Sequence, residues 1–146
     1  MEATKPMKKV FVSGCYDIIH AGHIQFFQDA RALGDHLTVC FASEPVLMLA
    51  KKRAPSMPDD NKKVLIGAIR YVDEAVSSSD LDPVFDFKGH IESLRPASLA
   101  VTEDDKNVEA KRAFCKERGI ELVMIPKRNF HTQVSTSAIR EKLRTA

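Results

Sequence analysis

The sequence contains no tryptophan, only three cysteines and no long run of apolar residues. Cys15, Cys40 and Cys115 are scattered without a C-x-x-C pair, which argues against a disulfide framework and predicts reduced thiols. A membrane-spanning helix needs about 20 consecutive apolar residues, and the chain has no such segment. It also shows no signal-peptide pattern. We therefore expect a cytoplasmic protein.

A large excess of charge of one sign is also missing, because the net charge of the 146 residues is only +2. So small an excess does not indicate a nucleic acid as the partner. Basic residues cluster locally instead, at 51–53, 62–63 and 127–128. This pattern favours a small anionic ligand over a long polyanion. The length suits a single domain over residues 1–146, in which residues 1–7 form a loose tail.

Short apolar segments of β-forming residues alternate with helix-like segments along the chain. Strands are predicted at 10–12, 37–42, 74–77, 98–101 and 121–125. Helices are predicted from the histidines near residue 20 to Leu33, at 44–50, from Asp59 through Val72, from about 83 to 94, around 110–114, and from Ser135 onwards. This alternation predicts the α/β class, with a Rossmann-like, doubly wound sheet of five parallel strands and ligands at their carboxyl ends.

A strand, a glycine-bearing turn and a helix start follow one another over residues 8–27. Unpaired N–H groups at such a turn and the positive end of the helix dipole suit phosphate. His20 and His23 share a face of the first helical turn, and Gly22 between them leaves room for a ligand. Two imidazoles there suit a triphosphate whose charge grows as pyrophosphate leaves. Two other interpretations remain open, namely a structural helix cap and a metal site formed by Asp17, His20 and His23.

The same turn resembles a family signature. The G-x-[FY]-D-x-x-H-x-G-H motif of the cytidylyltransferase-like nucleotidyltransferases is similar to Gly14-Cys15-Tyr16-Asp17-Ile18-Ile19-His20-Ala21-Gly22-His23. That group includes glycerol-3-phosphate cytidylyltransferase, ethanolamine- and choline-phosphate cytidylyltransferases, heptose-1-phosphate adenylyltransferase and archaeal FAD synthetase. The resemblance implies that His20 and His23 are catalytic. It also implies a nucleotide-binding role for the motif residues Gly14, Cys15, Tyr16, Asp17 and Gly22.

Segments in the middle of the chain extend the resemblance. Relatives place a loop lysine on the triphosphate and the incoming phosphate, which implies Lys51 as a catalytic residue and Lys52 as a nucleotide contact. Lys62 is implied as a nucleotide contact, because it stands where cytidylyltransferases tend to have arginine. A lysine keeps the charge there but loses the two-pronged contact. Arg70 lies in a run similar to the R-Y-V-D-E-V of glycerol-3-phosphate cytidylyltransferase. In that family the arginine reaches the active site and the segment also lies near the dimer contact, which implies that Arg70 is catalytic. The alternatives are a solvated loop lysine and an exposed arginine at a helix end.

The start of the last helix resembles the I-S-T-T-x-I and I-S-S-T-x-I-R segments of the family. Ser135, Thr136 and Ser137 are therefore expected to bind the β- and γ-phosphates through hydroxyls and backbone N–H groups. A plain Ser/Thr helix cap is the competing interpretation.

Relatives of the cytidylyltransferase type carry R-T-x-G before this segment. Residues 127–133 are longer here and contain no glycine, so Lys127 or Arg128 is expected to replace that arginine. Asp104 follows the fourth strand, where relatives have a G-D-D-W or G-x-D-Y run, and it is a candidate contact of the ribose, the metal or the acceptor.

The resemblance implies an enzyme that joins a nucleoside monophosphate to a small phosphorylated alcohol, polyol or sugar and releases pyrophosphate. CTP is the expected nucleotide, with ATP and a heptose-type sugar phosphate as the alternative. Mg²⁺ is expected on the triphosphate, held mostly by phosphate oxygens and water, and a homodimer is expected from the family. A non-catalytic nucleotide-binding module is the alternative of another class. Class I aminoacyl-tRNA synthetases share H-x-G-H, but this chain is too short for tRNA recognition and lacks a K-M-S-K-S-like segment.

Overall fold

A computed structural model of the protein describes residues 6–128, 132 and 134–145. Most of the predicted tail, residues 1–5, lies outside the described residues, as do positions 129–131 and 133 of the segment before the last helix. The strands are β1 (Lys9–Gly14), β2 (His36–Phe41), β3 (Glu74–Ser77), β4 (Ser98–Thr102) and β5 (Glu121–Ile125). The helices are α1 (Ala21–Arg31), α2 (Glu44–Lys51), α3 (Asp59–Gly67), α4 (Lys88–Leu94), α5 (Val108–Glu117) and α6 (Thr136–Thr145).

The five strands form one parallel sheet in the order β3-β2-β1-β4-β5. From the central β1, the chain first moves outward through β2 and β3, then returns and moves the other way through β4 and β5. The winding direction therefore reverses between β1 and β4, and in such sheets ligands bind outside the carboxyl ends at that point. The predicted α/β class and doubly wound five-stranded sheet are confirmed.

The core lies on both faces of the sheet, because successive strand residues point to opposite sides. Val10 and Val12 of β1 pack with Phe27 of α1 and Ile66 of α3 on one face. The alternate residue Phe11 packs on the other face, in the cluster that contains residues of α4 and α5. Burial on both faces explains why the three inner strands β1, β2 and β4 appear in the sequence as largely apolar runs.

Two helix predictions differ from the structure. The helix that starts at Asp59 ends at Gly67 and buries Ile66, whereas Leu65, which was expected on the buried stripe, is 51% exposed. The helix expected from about residue 83 begins only at Lys88. The reason is local, because the Asp82 carboxylate accepts hydrogen bonds from the N–H groups of Val84 and Phe85 at 2.8 Å and holds them in a turn.

In the part of the chain that the structure describes, no helix combines the length and apolar character that crossing a membrane requires.

Candidate functional site

A cavity of about 400 Å³ opens at the carboxyl ends of β1, β4 and β5. The turn between β1 and α1, the first turns of α1, the exits of β4 and β5 and the start of α6 all contribute to its walls. Its lining includes twelve of the residues predicted from the sequence: Gly14, Cys15, Tyr16, Asp17, His20, Gly22, His23, Asp104, Lys127, Arg128, Ser135 and Thr136. Elements distant in the chain thus bring the signature residues and the α6 segment to one site.

The two histidines are held by hydrogen bonds to the backbone at the start of α1. His20 is the N-cap residue, and its Nδ1 accepts a hydrogen bond from the N–H of Gly22 at 3.1 Å. The Nδ1 of His23 accepts a hydrogen bond from the N–H of His20 at 3.2 Å. Because a backbone N–H can only donate, both neutral rings must carry their proton on Nε2. The structural-cap interpretation is therefore correct for His20, and it also fixes the tautomer that can donate to an anion.

The two imidazoles stack, with ring centroids 3.9 Å apart and an angle of 29° between the planes. Burial, followed by the proximity of His20, lowers the pKa of His23 from 6.5 to about 4. His23 is therefore neutral at physiological pH. Both residues line the cavity, and because Nδ1 of each ring accepts a backbone hydrogen bond, the N–H donor of each neutral ring is at Nε2.

Tyr16 and two glycines shape the turn around this pair. Tyr16 has a φ of 46°, in the left-handed region, and its buried ring packs edge-on against His23 with the centroids 5.3 Å apart. A Cβ on Gly14 would lie 2.7 Å from Cζ of Tyr16, and a Cβ on Gly22 would lie 2.9 Å from Cε1 of His20. Neither position accepts a side chain without moving a ring. Burial raises the pKa of the Tyr16 hydroxyl, so this group stays protonated.

Asp17 is buried and its carboxylate is already engaged. It accepts hydrogen bonds from the N–H of Ser56 at 2.8 Å and from the Ser56 hydroxyl at 3.1 Å, and it forms an ion pair with Arg140. Among the described residues, no group of three or more His, Cys, Asp or Glu side chains is arranged to hold a metal ion. The metal-site interpretation of Asp17, His20 and His23 is therefore wrong, because the carboxylate is committed to protein partners.

Lys62 does not line the cavity where it was expected to contact nucleotide. Its side chain is 1% exposed, and its Nζ donates to the carbonyl oxygens of Cys15 at 3.1 Å and Ala42 at 3.2 Å. Burial lowers its pKa. The ammonium group of Lys62 therefore connects the turn after β1 to the residue that follows β2. This geometry gives Lys62 a supporting role instead of a ligand contact.

The basic loop contributes a different residue from those predicted. Lys51 and Lys52 are exposed and lie outside the cavity lining, and Lys52 is the left-handed C-cap of α2 with a φ of 54°. Arg53 lines the cavity instead. Arg70 is exposed and also lies outside the lining. The signal for Arg53 was present in the same basic cluster, but the sequence does not show which of three neighbours faces inward.

Both predicted basic residues after β5 line the cavity, and each is paired with a carboxylate. The Nζ of Lys127 lies 2.7 Å from Asp104, and this contact is the main cause of a lowered Asp104 pKa. The Nε of Arg128 donates to Asp29 on α1 at 3.1 Å. Asp29 was missed by sequence reasoning, because its pairing with Arg128 spans 99 residues.

The start of α6 contacts the signature turn. The Thr136 hydroxyl donates to the carbonyl oxygen of Ile18 at 3.2 Å, and the Ser135 hydroxyl accepts from the N–H of Ala138 at 3.1 Å as a cap does. Both residues line the cavity with the histidines, whereas Ser137 lines a second cavity beside it. The helix starts of α1 and α6 therefore meet at the cavity, and both direct positive dipole ends toward it.

Comparison with known proteins places this site in a family. The cytidylyltransferase-like family model matches residues 11–142. A protein named FAD synthase from Ferroglobus placidus is 34% identical over 142 residues, which is 95% of this chain and 90% of that protein. FAD synthases from Thermococcus kodakarensis (31% identical, 98% of this chain, 96% of the relative) and Pyrococcus horikoshii (33%, 92% and 91%) are similar over nearly their whole length.

Solved structures agree with the fold. A lipopolysaccharide core biosynthesis protein from Thermoplasma volcanium superposes with a TM-score of 0.70 at 23% identity, over 86% of this chain and 100% of that one. Pantoate-beta-alanine ligase from Francisella tularensis superposes with a TM-score of 0.61 at 16% identity, over 93% of this chain and 63% of that one. Taken with the family model and the relatives, the signature turn and its cavity lead to one conclusion: the chain belongs to the cytidylyltransferase-like family of nucleotidyltransferases.

Proposed function

We propose that the protein is an FAD synthase, which transfers AMP from ATP to the phosphate of FMN and releases pyrophosphate. The observation that supports this choice is the similarity to proteins named FAD synthase, at 31–34% identity over at least 92% of this chain. The site geometry supports the reaction class, since a stacked histidine pair and two helix starts line one cavity. CTP, the nucleotide first expected, has no such support.

The reaction requires that the protein position the two phosphate groups in line and neutralise the negative charge on their oxygens. An oxygen of the FMN phosphate attacks the α-phosphorus of ATP, a P–O bond forms, and the bond from that phosphorus to the bridging oxygen of the β-phosphate breaks. Negative charge grows on the leaving pyrophosphate and on the equatorial oxygens. The Nε2–H groups of His20 and His23 are the donors that we assign to those oxygens, because the accepted hydrogen bonds at Nδ1 fix that orientation before substrate arrives.

The apolar part of the cavity suits the nucleobase. Phe26, Val101, Ile125, Pro126 and Val134 line it together with the polar groups. Lys127 and Arg128 lie at the same exit from β5, and both are bridged to carboxylates in the structure. We assign these two residues and Asp104 to contacts with the ribose or the acceptor, and Ser135 and Thr136 to the triphosphate.

Mg²⁺ fits the residues present without a protein cage. Magnesium commonly keeps several waters and binds substrate phosphates. That mode suits this cavity, because Asp104 and Asp105, which line it, are already paired with Lys127 and Lys111. When bound, the ion would neutralise charge on the triphosphate. A homodimer and a cytoplasmic location remain proposals that follow from the family and from the nucleotide substrates.

The test is a substrate panel. The purified protein is incubated with Mg²⁺ and either ATP or CTP, and with FMN, glycerol 3-phosphate or a heptose phosphate as acceptor, while pyrophosphate release is measured. We expect release with ATP and FMN to exceed every other combination by at least tenfold. Faster release with CTP and glycerol 3-phosphate, or with ATP and a heptose phosphate, would assign the activity to those substrates. ATP binding without release in any combination would indicate the non-catalytic module.

Size-exclusion chromatography with light scattering tests the proposed homodimer.

A further inference from the structure

Asp29 places a carboxylate on the α1 wall of the nucleotide cavity, beside apolar residues. Phe26 and Asp29 are three residues apart on α1, so they share a face of the helix, and both line the cavity. Ile125 and Pro126, at the end of β5, line it as well. The side chain of Asp29 is only 18% exposed. The carboxylate therefore belongs to the part of the cavity whose apolar residues suit a nucleobase.

Two neighbours fix the orientation of this carboxylate. The Nε of Arg128, two residues after Pro126, donates to Oδ2 of Asp29 at 3.1 Å, and Nη2 of the same guanidinium donates to Oδ1. The Nε2 of Gln25, one turn earlier on α1, donates to Oδ1 at 3.4 Å. A two-pronged contact between a guanidinium and a carboxylate is strong and geometrically specific. Asp29 is therefore oriented before a nucleotide binds.

The bonding capacity of the carboxylate determines which ligand group it can meet. A carboxylate offers about four acceptor positions and no donor. The three contacts of Asp29 use two positions on Oδ1 and one on Oδ2. The second position on Oδ2 has no donor among the described residues, so an N–H group of a ligand can take it. A carbonyl oxygen of a ligand at that place would leave two acceptors facing each other.

Nucleobases differ in the group that they present at one edge. Adenine carries an exocyclic amino group, which donates, where guanine carries an oxo group, which accepts. Guanine has its N–H donors at other ring positions, so in the orientation of adenine it would place an oxygen against the carboxylate. The amino group of cytosine also donates. A contact with Asp29 therefore favours amino-bearing bases, and it does not by itself distinguish ATP from CTP.

The position of Asp29 along α1 keeps its charge away from the phosphates. Asp29 lies six residues after His23, which corresponds to about 9 Å along the helix axis. The guanidinium of Arg128 also offsets the charge of the carboxylate. A nucleotide with its phosphates at the histidines can therefore place its base beside Asp29 without bringing two negative groups together.

We propose that Asp29 recognises the base of the nucleotide, and that its carboxylate accepts a hydrogen bond from the exocyclic amino group of adenine. Gln25 and Arg128 hold the carboxylate in the orientation that this contact requires. The inference rests on the use of ATP proposed above, but it does not depend on the identity of the acceptor.

Titration calorimetry of the purified full chain, with Mg²⁺ and without an acceptor, tests this contact. The ligands are ATP and purine riboside triphosphate, which lacks only the amino group. We expect the wild type to bind ATP about tenfold or more tightly than the analogue, the scale of a hydrogen bond to a charged group. In Asp29→Ala the two ligands should bind equally, because the partner of the amino group is gone.

Glu109→Ala is the matched control, because it removes a carboxylate that pairs with Arg112 on α5, outside the cavity. This variant should keep the wild-type preference for ATP. Circular dichroism confirms that each variant is folded. If Asp29→Ala is not folded, Asp29→Asn decides the result, and its preference for ATP should fall below that of the wild type because its oxygen carries no charge.

A purely structural role for Asp29 would weaken the binding of both ligands by the same factor, and an unchanged preference for ATP in Asp29→Ala would overturn the proposal. Tighter binding of GTP than of ATP by the wild type would also overturn it. In kinetics with FMN we expect Asp29→Ala to raise the KM for ATP, whereas a change confined to the KM for FMN would contradict the assignment. ATP binding without FAD formation would refute the proposed synthase while the calorimetry still decides the role of Asp29. Absence of ATP binding would refute both.

Discussion

The carboxylate of Asp17 in the turn after β1 forms an ion pair with the guanidinium of Arg140 in α6, 123 residues later in the chain. The same carboxylate holds Ser56 of the basic loop. One buried side chain therefore connects three separate walls of the site. We infer that the acidic residue of the signature positions the loop and the last helix around the nucleotide.

Replacing Asp17 by Asn keeps the size of the side chain and removes its charge. We expect the free energy of unfolding to fall by about 2–4 kcal/mol, because Arg140 loses its ion-pair partner and Lys62, whose Nζ lies 4.0 Å from Oδ1 of Asp17, loses a buried counter-charge. Urea denaturation followed by circular dichroism measures this change. Arg144→Met is the control, because it breaks an exposed pair with Glu141 and should cost about 0.5 kcal/mol or less. Equal stability of the two variants would show that Asp17 does not hold these elements together.

Two substitutions of His20 separate its capping role from the catalytic role that we propose for it. His20→Ala removes both the N-cap and the Nε2 donor, whereas His20→Asn keeps an oxygen that can cap the helix. We expect kcat to fall by about 100-fold or more in both, on the scale of losing one charge-stabilising donor. Only His20→Ala should also lose about 1 kcal/mol of stability. Near wild-type turnover in His20→Asn would leave the ring with a structural role alone.

The lowered pKa of His23 predicts how stability depends on pH. Between an ordinary pKa of 6.5 and the folded value of about 4, the unfolded chain binds a proton at this residue and the folded chain does not. The contribution of His23 to the free energy of unfolding is therefore fully present above pH 6.5, and it declines as the pH falls toward 4. The expected loss is on the order of 2–3 kcal/mol.

NMR titration of the His23 ring should give a midpoint near 4. In His23→Gln, the decline in stability between pH 6.5 and 4 should become shallower. An NMR midpoint near the ordinary value of 6.5 would contradict the burial and stacking described for this ring.

A methyl group at Gly22 should disturb the site more than the fold. Its Cβ would lie 2.9 Å from Cε1 of His20, so the ring must shift from the position that fixes its tautomer. We expect Gly22→Ala to lower kcat by about tenfold or more, the scale of a misplaced catalytic group. Gly67→Ala is the control, because the nearest atom to its Cβ, on Ala75, is 3.9 Å away. Its activity should be unchanged, and equal activity of both variants would show that the ring tolerates the shift.

The sheet and the signature turn could be predicted because their signals are local. Parallel strands buried on both faces, such as Val10–Val12, are apolar runs that neighbouring residues alone reveal. The buried face of the helix after Asp59 was harder to predict, because three apolar residues follow one another there. The sequence does not show which of Val64, Leu65 and Ile66 faces the core. Packing against the first core cluster selects Ile66.

The pairing of charges could not be predicted, because it depends on contacts between distant segments. Lys62 appears in the sequence as one of two adjacent lysines. Only in the folded chain does its Nζ donate hydrogen bonds to the carbonyl oxygens of Cys15 and Ala42. The partner of Arg128 is likewise a residue of α1. Residue types and spacing therefore indicate the reaction class, whereas the role of each cation depends on the carboxylates or carbonyl oxygens that the fold brings to it.

The most direct test of the central claim is transfer of label from [α-³²P]ATP to FMN by the wild-type protein with Mg²⁺, with the products separated by chromatography. We predict labelled FAD and an equal amount of unlabelled pyrophosphate, and loss of both products in the double variant His20→Asn, His23→Gln. Unlabelled FMN and intact ATP after prolonged incubation with folded protein would contradict the account.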